Sequence, residues 1–386
     1  MPWLEVNKLE QRKIFVLRVL RGESMSDLCK EYGISRPTGY KFLERFKEFG
    51  FQGLNDLSRK PHFSPNKIDP FIEELIIDVK GHYPTWGPKK IKARLETLYP
   101  YLKIPVVSTV GSVLSRNGLV VSKTRRIKRL YATSQLSESK YPNDVWCIDY
   151  KGQFKTKDNA YCFPLTISDH NTRFLIACEA LQSTNQSEAF DVFKRSFKTF
   201  GLPKIIRSDN GSPFASTSKC YGLTRLSAWF ISLDIKVERI APGHPEQNGR
   251  HERMHRTLKH DAINPAAKNI LQQQEKFDNY INVYNFERPH ESLSQQTPGS
   301  LYKNSNKIYI ERDLEYPNHD FKRKVDSKGF VSIDSQRRVR ITKALDGHLI
   351  GLKEQEKQWL VTFNKFDIGV IYKNSLTFEP MEVLDY

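Results

Sequence analysis

Three acidic residues stand where a carboxylate is costly unless it binds a cation. Asp149 lies inside the apolar run WCIDY, Asp209 follows the apolar run IIRS, and Glu252 lies early in a helix-like stretch. An unpaired carboxylate in apolar surroundings loses much of its hydration free energy. Three such acids predict a divalent-metal site, and Mg²⁺ fits because it is held by few carboxylates and accepts phosphate oxygens. Two ions about 4 Å apart would serve phosphodiester chemistry.

The elements that must position these acids read as strands and helices in alternation. Aromatic and aliphatic runs broken by polar turns predict strands at 145–154, 160–168, 173–180, 204–207 and 235–240. A helix is predicted at 187–200, and another begins after residues 245–249 and carries Glu252. Three successive strands followed by alternating helix and strand predict an α/β mixed sheet with helices on its faces.

The first 50 residues predict a helix-turn-helix unit. Helical spacing of apolar residues favours helices at 8–20, 24–32 and 35–49, with Gly33 as the turn before the third. The last helix of such a unit enters the DNA major groove. The residues predicted to face DNA are Arg36, Thr38, Lys41 and Arg45.

A second all-α module follows a polar linker. Helices are predicted at 68–80, 87–99 and 107–117, and clusters of basic side chains predict contacts to phosphates rather than to bases. Two such units joined by a basic linker suggest a long bipartite DNA site. The basic residues concerned are Arg59 and Lys60 in the linker, Lys89 and Lys90 in the module, and Lys123, Arg125, Arg126, Lys128 and Arg129 after it.

The last third of the sequence predicts a small β module. Residues 304–324 read as a polar linker, and alternating apolar and polar residues then predict five strands, at 328–334, 337–342, 349–352, 359–363 and 369–372. Five short strands suggest a small barrel. The predicted domains are therefore 1–56, 57–130, 131–303 and 304–386.

The charge distribution points to a polyanionic partner. The net charge is +17, and residues 1–140 hold 26 Lys and Arg against 14 Asp and Glu, which is +12 of that surplus. A localised positive field attracts nucleic acid by releasing condensed counterions. The five cysteines are scattered without a CxxC pair, which fits a reducing cytoplasm. No long apolar run or secretory leader is evident, so a cytoplasmic protein is predicted.

These motifs resemble those of DDE-type insertion-sequence transposases with a retroviral-integrase-like, RNase H-like core. The resemblance rests on 144–152 (DVWCIDYKG), 207–214 (RSDNGSPF), 243–259 (GHPEQNGRHERMHRTLK), 284–293 (YNFERPHESL) and 86–91 (WGPKKI). It implies that Asp149, Asp209 and Glu252 are the catalytic and metal-binding acids, with two Mg²⁺ ions for which Mn²⁺ can substitute. It also implies a C-terminal SH3-like barrel and a bacterial dimer or tetramer acting on terminal inverted repeats and target double-stranded DNA.

The sequence departs from the family pattern in two ways. Between Asp209 and Glu252 stand 42 residues, more than is usual, with the extra length around 216–226, and Glu246 is the rival third acid. Glu252 is preferred because Arg256 and Lys259 lie on the same helical face, where they would hold the DNA backbone. The His-His-Cys-Cys zinc module of retroviral integrases is also missing, so helix-turn-helix units would recognise the DNA ends.

Two other functions compete with DNA transposition. Residues 251–255 (HERMH) match the zinc-protease pattern HExxH, with Glu275 at the spacing of a third ligand. The cationic flanks, Leu258 in place of a metzincin glycine and the interruption at Pro265 disfavour a protease. The second alternative is a DNA-binding regulator with an inactive core, which would survive loss of all three acids. Peptide cleavage and DNA strand transfer separate these functions.

Overall fold

The computed structural model describes residues 8–57, 68–120, 136–211, 213–214, 222–241 and 244–381. The chain forms two units, residues 1–67 and 68–386. The four domain boundaries proposed from the sequence stay predictions. In the ranges that the structure describes, no helix is long and apolar enough to cross a membrane.

The first unit is the predicted trihelical module. Its helices are α1 (Lys8–Leu20), α2 (Met25–Glu31) and α3 (Arg36–Phe49), followed by a 3₁₀ turn at Gly50–Leu54. Gly33 turns the chain between α2 and α3 with a φ of +61°, a conformation that glycine adopts without steric cost. The buried side chains of Phe15, Leu28 and Leu54 close the core, so the helix-turn-helix prediction is confirmed.

The second unit begins with the second predicted helical module. It consists of α4 (Pro70–His82), α5 (Pro88–Leu98) and α6 (Val107–Arg116) around the buried Trp86. Basic and tyrosyl side chains of this module bind residues 287–291, and we name these contacts the α5 clasp. In the clasp, Tyr83 and Arg94 donate hydrogen bonds to the Glu287 carboxylate. Lys89 donates to the Glu291 carboxylate, and Lys90 donates to the Pro289 carbonyl.

A six-stranded mixed sheet follows. The strands are β1 (Val145–Tyr150), β2 (Phe154–Lys155), β3 (Tyr161–Asp169), β4 (Leu175–Leu181), β5 (Ile205–Ser208) and β6 (Lys236–Arg239). The order is β2-β3-β1-β5-β6, with β4 on β3. Pairing is antiparallel among β1, β3 and β4, and parallel from β1 to β5 to β6. The predicted RNase H-like mixed sheet is therefore confirmed.

Helices cover both faces of this sheet. They are α7 (Gln186–Phe200), α8 (Arg225–Ser232), α9 (Gly249–Leu258), α10 (Ile270–Asn282) and α11 (Pro298–Leu301), with π turns at Lys259–Ile263 and Val283–Glu287. Phe193 and Phe230 pack with Trp146 on one face, whereas Met254 and Phe277 pack on the other. The extra length predicted around 216–226 falls partly on residues 215–221, which lie outside the described residues.

The C-terminal module differs from its prediction. Its strands are β7 (Phe321–Lys324), β8 (Phe330–Ser332), β9 (Arg338–Arg340), β10 (Leu349–Glu354), β11 (Gln358–Phe363), β12 (Phe366–Tyr372) and β13 (Phe378–Pro380). The five-stranded sheet β13-β12-β11-β10-β7 is open, and β8 and β9 form a separate pair. Strand β7 lies in the segment predicted as linker, and β13 was not predicted. The open sheet does not confirm the small barrel.

Candidate active site

Two of the three predicted acids lie side by side on the sheet. Strands β1 and β5 run parallel, and the last registered pair is Cys147 with Arg207. Asp149 and Asp209 each lie two residues beyond this pair, in the direction in which both strands run. The register therefore makes them neighbours. Asp209 directly follows the last residue of β5, and its carboxylate accepts a hydrogen bond from the Gly211 amide at 3.0 Å.

The electrostatics of Asp149 fit a cation-binding group. Its side chain is 26% exposed. Burial, and next the negative charge of Asp209, raise its pKa to about 7. Two carboxylates held together in a half-buried site favour a bound divalent cation, because the cation removes both their repulsion and the cost of burial.

Helix α9, which carries the third predicted acid, packs on the face of the sheet that bears Asp149. Side chains alternate along a strand, so Asp149 points away from Trp146 and toward α9. His255 of α9 places its Nδ1 at 3.7 Å from the Asp149 Oδ2. Glu252 is exposed and lies three residues before His255, a spacing that makes the two side chains neighbours on the helix surface.

Two buried histidines anchor α9 to the sheet. The Thr166 hydroxyl lies 2.7 Å from the Nε2 atoms of both His251 and His255, and the Ser168 hydroxyl lies 2.8 Å from the His251 Nδ1. Burial lowers the pKa of His251 to about 3 and that of His255 to about 2, so both rings are neutral.

These histidines are the site residues that the sequence interpretation did not select. The HExxH pattern does bring them together, but their third partner is Asp149 rather than Glu275: one ligand atom from each of the three lies within 4.8 Å of the others. The available signal was the position of His255, one helical turn beyond Glu252 on the same face.

The predicted DNA-contact residues fall into three groups. On α3, Arg36 and Lys41 are exposed and Thr38 and Arg45 are half-buried; Arg256 and Lys259 are exposed on and just after α9. Lys89 and Lys90 take part in the α5 clasp, and burial lowers the pKa of Lys90 to about 7. A phosphate contact by these two lysines must replace those bonds. The others lie outside the described residues: Arg59, Lys60, Lys123, Arg125, Arg126, Lys128 and Arg129.

Protein-family models match along most of the chain. Two models described as integrase core domains match residues 139–245 and 233–298. A model described as a helix-turn-helix domain matches residues 11–62, and one described as a homeodomain-like domain matches 38–114. The integrase core matches together include the two aspartates and Glu252.

Viral proteins are among the similar proteins. The Pol polyprotein of feline endogenous virus ECE1 is 32% identical over 118 residues, which is 31% of this chain and 10% of that protein. The putative integrase ORF3 of Spiroplasma virus SpV1-C74 is 31% identical over 140 residues, 34% of this chain and 39% of that protein. The chain thus spans a minor part of these relatives.

A solved structure of the HTLV-2 integrase catalytic core domain in complex with magnesium is also similar, at 17% identity and a TM-score of 0.34. The match covers 43% of this chain and 100% of that one. The family-model and sequence matches confirm the resemblance that the motifs predicted. The chain carries helix-turn-helix domains followed by an integrase core domain, and it is similar to integrase-like proteins of the DDE transposase type.

Proposed function

We propose that the protein is a DNA transposase that cuts the 3′ ends of a mobile element and joins them to target DNA. The observation that carries this proposal is the adjacency of Asp149, on β1, and Asp209, directly after the parallel strand β5, in an integrase core, with Glu252 on the helix packed beside them. The carboxylate pair and the raised pKa of Asp149 are the properties expected of a divalent-metal site.

Each side chain has a distinct part in this proposal. Asp149, Asp209 and Glu252 would hold two Mg²⁺ ions, with Mn²⁺ as a substitute; carboxylate oxygens are the ligands that these ions prefer. Bound there, the ions supply charge stabilisation for both the attacking and the leaving oxygen. The exposed Arg256 and Lys259 would hold the DNA backbone along the α9 side of the site.

The remaining modules would select the DNA and assemble the complex. Helix α3 would read one part of the terminal inverted repeat, and the basic segments would contact its phosphates. Two ends must be cut together, so a dimer or tetramer on double-stranded DNA is expected. The C-terminal module, which we propose to be SH3-like, packs on the core through α8, where Arg225 pairs with Asp346.

The direct test of the third acid compares two variants. The purified full chain, Mg²⁺ and duplexes carrying the inverted repeats that flank the gene should yield 3′-end cleavage and strand joining. Glu252→Gln should lower both rates roughly 100-fold or more, because a metal ligand is lost. Glu246→Gln is the matched control and should retain activity. If Glu246→Gln loses activity and Glu252→Gln keeps it, Glu246 is the third acid. Peptide cleavage without DNA cleavage would favour the protease.

DNA reading by α3 has its own test. Lys41→Ala should weaken binding of the full chain to the inverted repeat and reduce the slope of log affinity against log salt by about one, because one phosphate contact is lost. Lys30→Ala removes another exposed lysine of the same unit, on α2, and should leave the slope unchanged. Fluorescence anisotropy at several salt concentrations measures both. Equal slopes in all three proteins would remove Lys41 from the DNA interface.

A further inference from the structure

Two histidines share one hydroxyl group under the acidic site. The Thr166 hydroxyl donates its hydrogen to the backbone carbonyl of Asp149 at 3.0 Å. Its oxygen also lies 2.7 Å from the Nε2 atoms of His251 and His255. A threonine hydroxyl has a single hydrogen and two acceptor lone pairs. Both histidines must therefore donate to it from a protonated Nε2.

This hydrogen-bond network fixes the lone pair of each ring. In a neutral imidazole with hydrogen on Nε2, the lone pair resides on Nδ1. The Nδ1 of His251 accepts from the Ser168 hydroxyl at 2.8 Å, so both of its nitrogens are engaged. The Nδ1 of His255 instead faces the Asp149 Oδ2 at 3.7 Å. When Asp149 is ionised, the two facing atoms are both acceptors, and their separation exceeds a hydrogen bond.

A nitrogen and an oxygen acceptor facing each other at this distance suit one cation. Nitrogen and oxygen ligand atoms lie about 2.0–2.2 Å from a transition-metal ion, so two ligands of one ion are at most about 4.4 Å apart. The observed 3.7 Å falls within that limit. His255 is 6% exposed, and its anchored Nε2 holds the ring in this orientation without a metal.

We propose that His255 is a nitrogen ligand, through Nδ1, of the metal ion held by Asp149, and that it raises the affinity of this site for Mn²⁺ more than its affinity for Mg²⁺. The inference rests on the proposed function for the metal site and adds a ligand outside the three acids. Imidazole binds borderline transition metals well, whereas Mg²⁺ takes oxygen ligands. His251 is not a ligand, because Thr166 and Ser168 occupy both of its nitrogens.

Mn²⁺ is the probe that tests this ligand directly. Pulsed electron paramagnetic resonance of the metal-free full chain loaded with Mn²⁺ should show coupling to a histidine nitrogen. Growth on isotopically labelled histidine should replace that coupling by the pattern of the heavier nitrogen, a measurement that needs no variant. His255→Asn should abolish the coupling and weaken Mn²⁺ binding on the order of tenfold. Mg²⁺ binding, measured by competition, should change less. His251→Asn is the matched control and should keep the coupling.

The outcomes separate this inference from the proposed function. Mn²⁺ that binds through Asp149 without histidine coupling overturns the ligand assignment, even when strand joining is intact. Coupling lost in His251→Asn but retained in His255→Asn also overturns it. Nitrogen coupling in a protein that never cleaves or joins DNA supports the ligand and contradicts the transposase.

Discussion

Replacing Asp149 with Asn should abolish metal-dependent DNA joining and, in the same protein, increase the stability of the metal-free fold above neutral pH. The loss of activity should reach roughly 100-fold or more, because one carboxylate of the proposed metal site is gone. The gain in stability arises because Asn removes a half-buried charge that lies beside Asp209.

The direction of the pH effect follows from the raised pKa of Asp149. Burial, and next the charge of Asp209, raise it to about 7 in the folded protein, against about 3.9 in the unfolded chain. The folded state therefore holds the proton to higher pH, and wild-type stability falls as pH rises from about 4 to about 7. Because the side chain is partly exposed, Asp149→Asn should gain about 2 kcal/mol at pH 8 and little at pH 4.

Chemical denaturation in EDTA at both pH values measures this difference. Asp191→Asn, at an exposed position of α7 on the opposite face of the sheet, is the control and should change neither stability nor activity. Equal stability of the Asp149 variant and the wild type at pH 8 would contradict the electrostatic origin of the raised pKa.

Replacing Arg207 with Met should destabilise the core by about 3–5 kcal/mol. Arg207 is 2% exposed on β5, and its Nε donates to Glu238 of β6 at 2.6 Å. Its Nη2 donates to the Ser137 carbonyl, while the Ser137 amide donates to the same Glu238 carboxylate. Removing the arginine leaves the glutamate charged, buried and short of a partner. Urea denaturation of the metal-free chain measures the change.

Two companion variants establish the cause. The double change Arg207→Met with Glu238→Leu should recover most of the lost stability, because no buried charge then remains unpaired. Arg337→Met breaks an exposed pair with Asp334 and should have little effect. A double variant no more stable than Arg207→Met alone would assign the loss to packing. Strand joining should also fall in Arg207→Met, since Asp209 stands two residues further along the chain, directly after β5.

Local sequence patterns are sufficient to predict most of the helices and the central strands. The helical spacing of Ile14, Leu17 and Leu20 marks α1, although the fold buries the neighbouring Phe15 and Val16 instead. The apolar run before Asp149 marks β1. These elements are predictable because one face or one run of side chains is buried in each. Strand β7, with the sequence FKRK, has neither feature, because it is a short edge strand stabilised by pairing with β10.

The sequence indicates the acids of the candidate site, but it does not indicate which other residues lie beside them. The sequence suggests three carboxylates, but only the parallel pairing of β1 with β5 makes Asp149 and Asp209 neighbours. The role of His255 depends on Thr166, a residue of β3 that lies 89 positions away in the chain. The charge of Lys89 likewise predicts a free basic face, whereas the fold pairs it with Glu291.

The α5 clasp has a consequence for where a transposase of this structure would cut its DNA. Its bonds join the second helical module to residues 287–291, directly after the π turn that follows α10. A duplex bound by other side chains of that module, with the clasp intact, would thereby be kept at a constant number of base pairs from the carboxylates. The cut would then fall at a fixed distance from the bound sequence at the element's end.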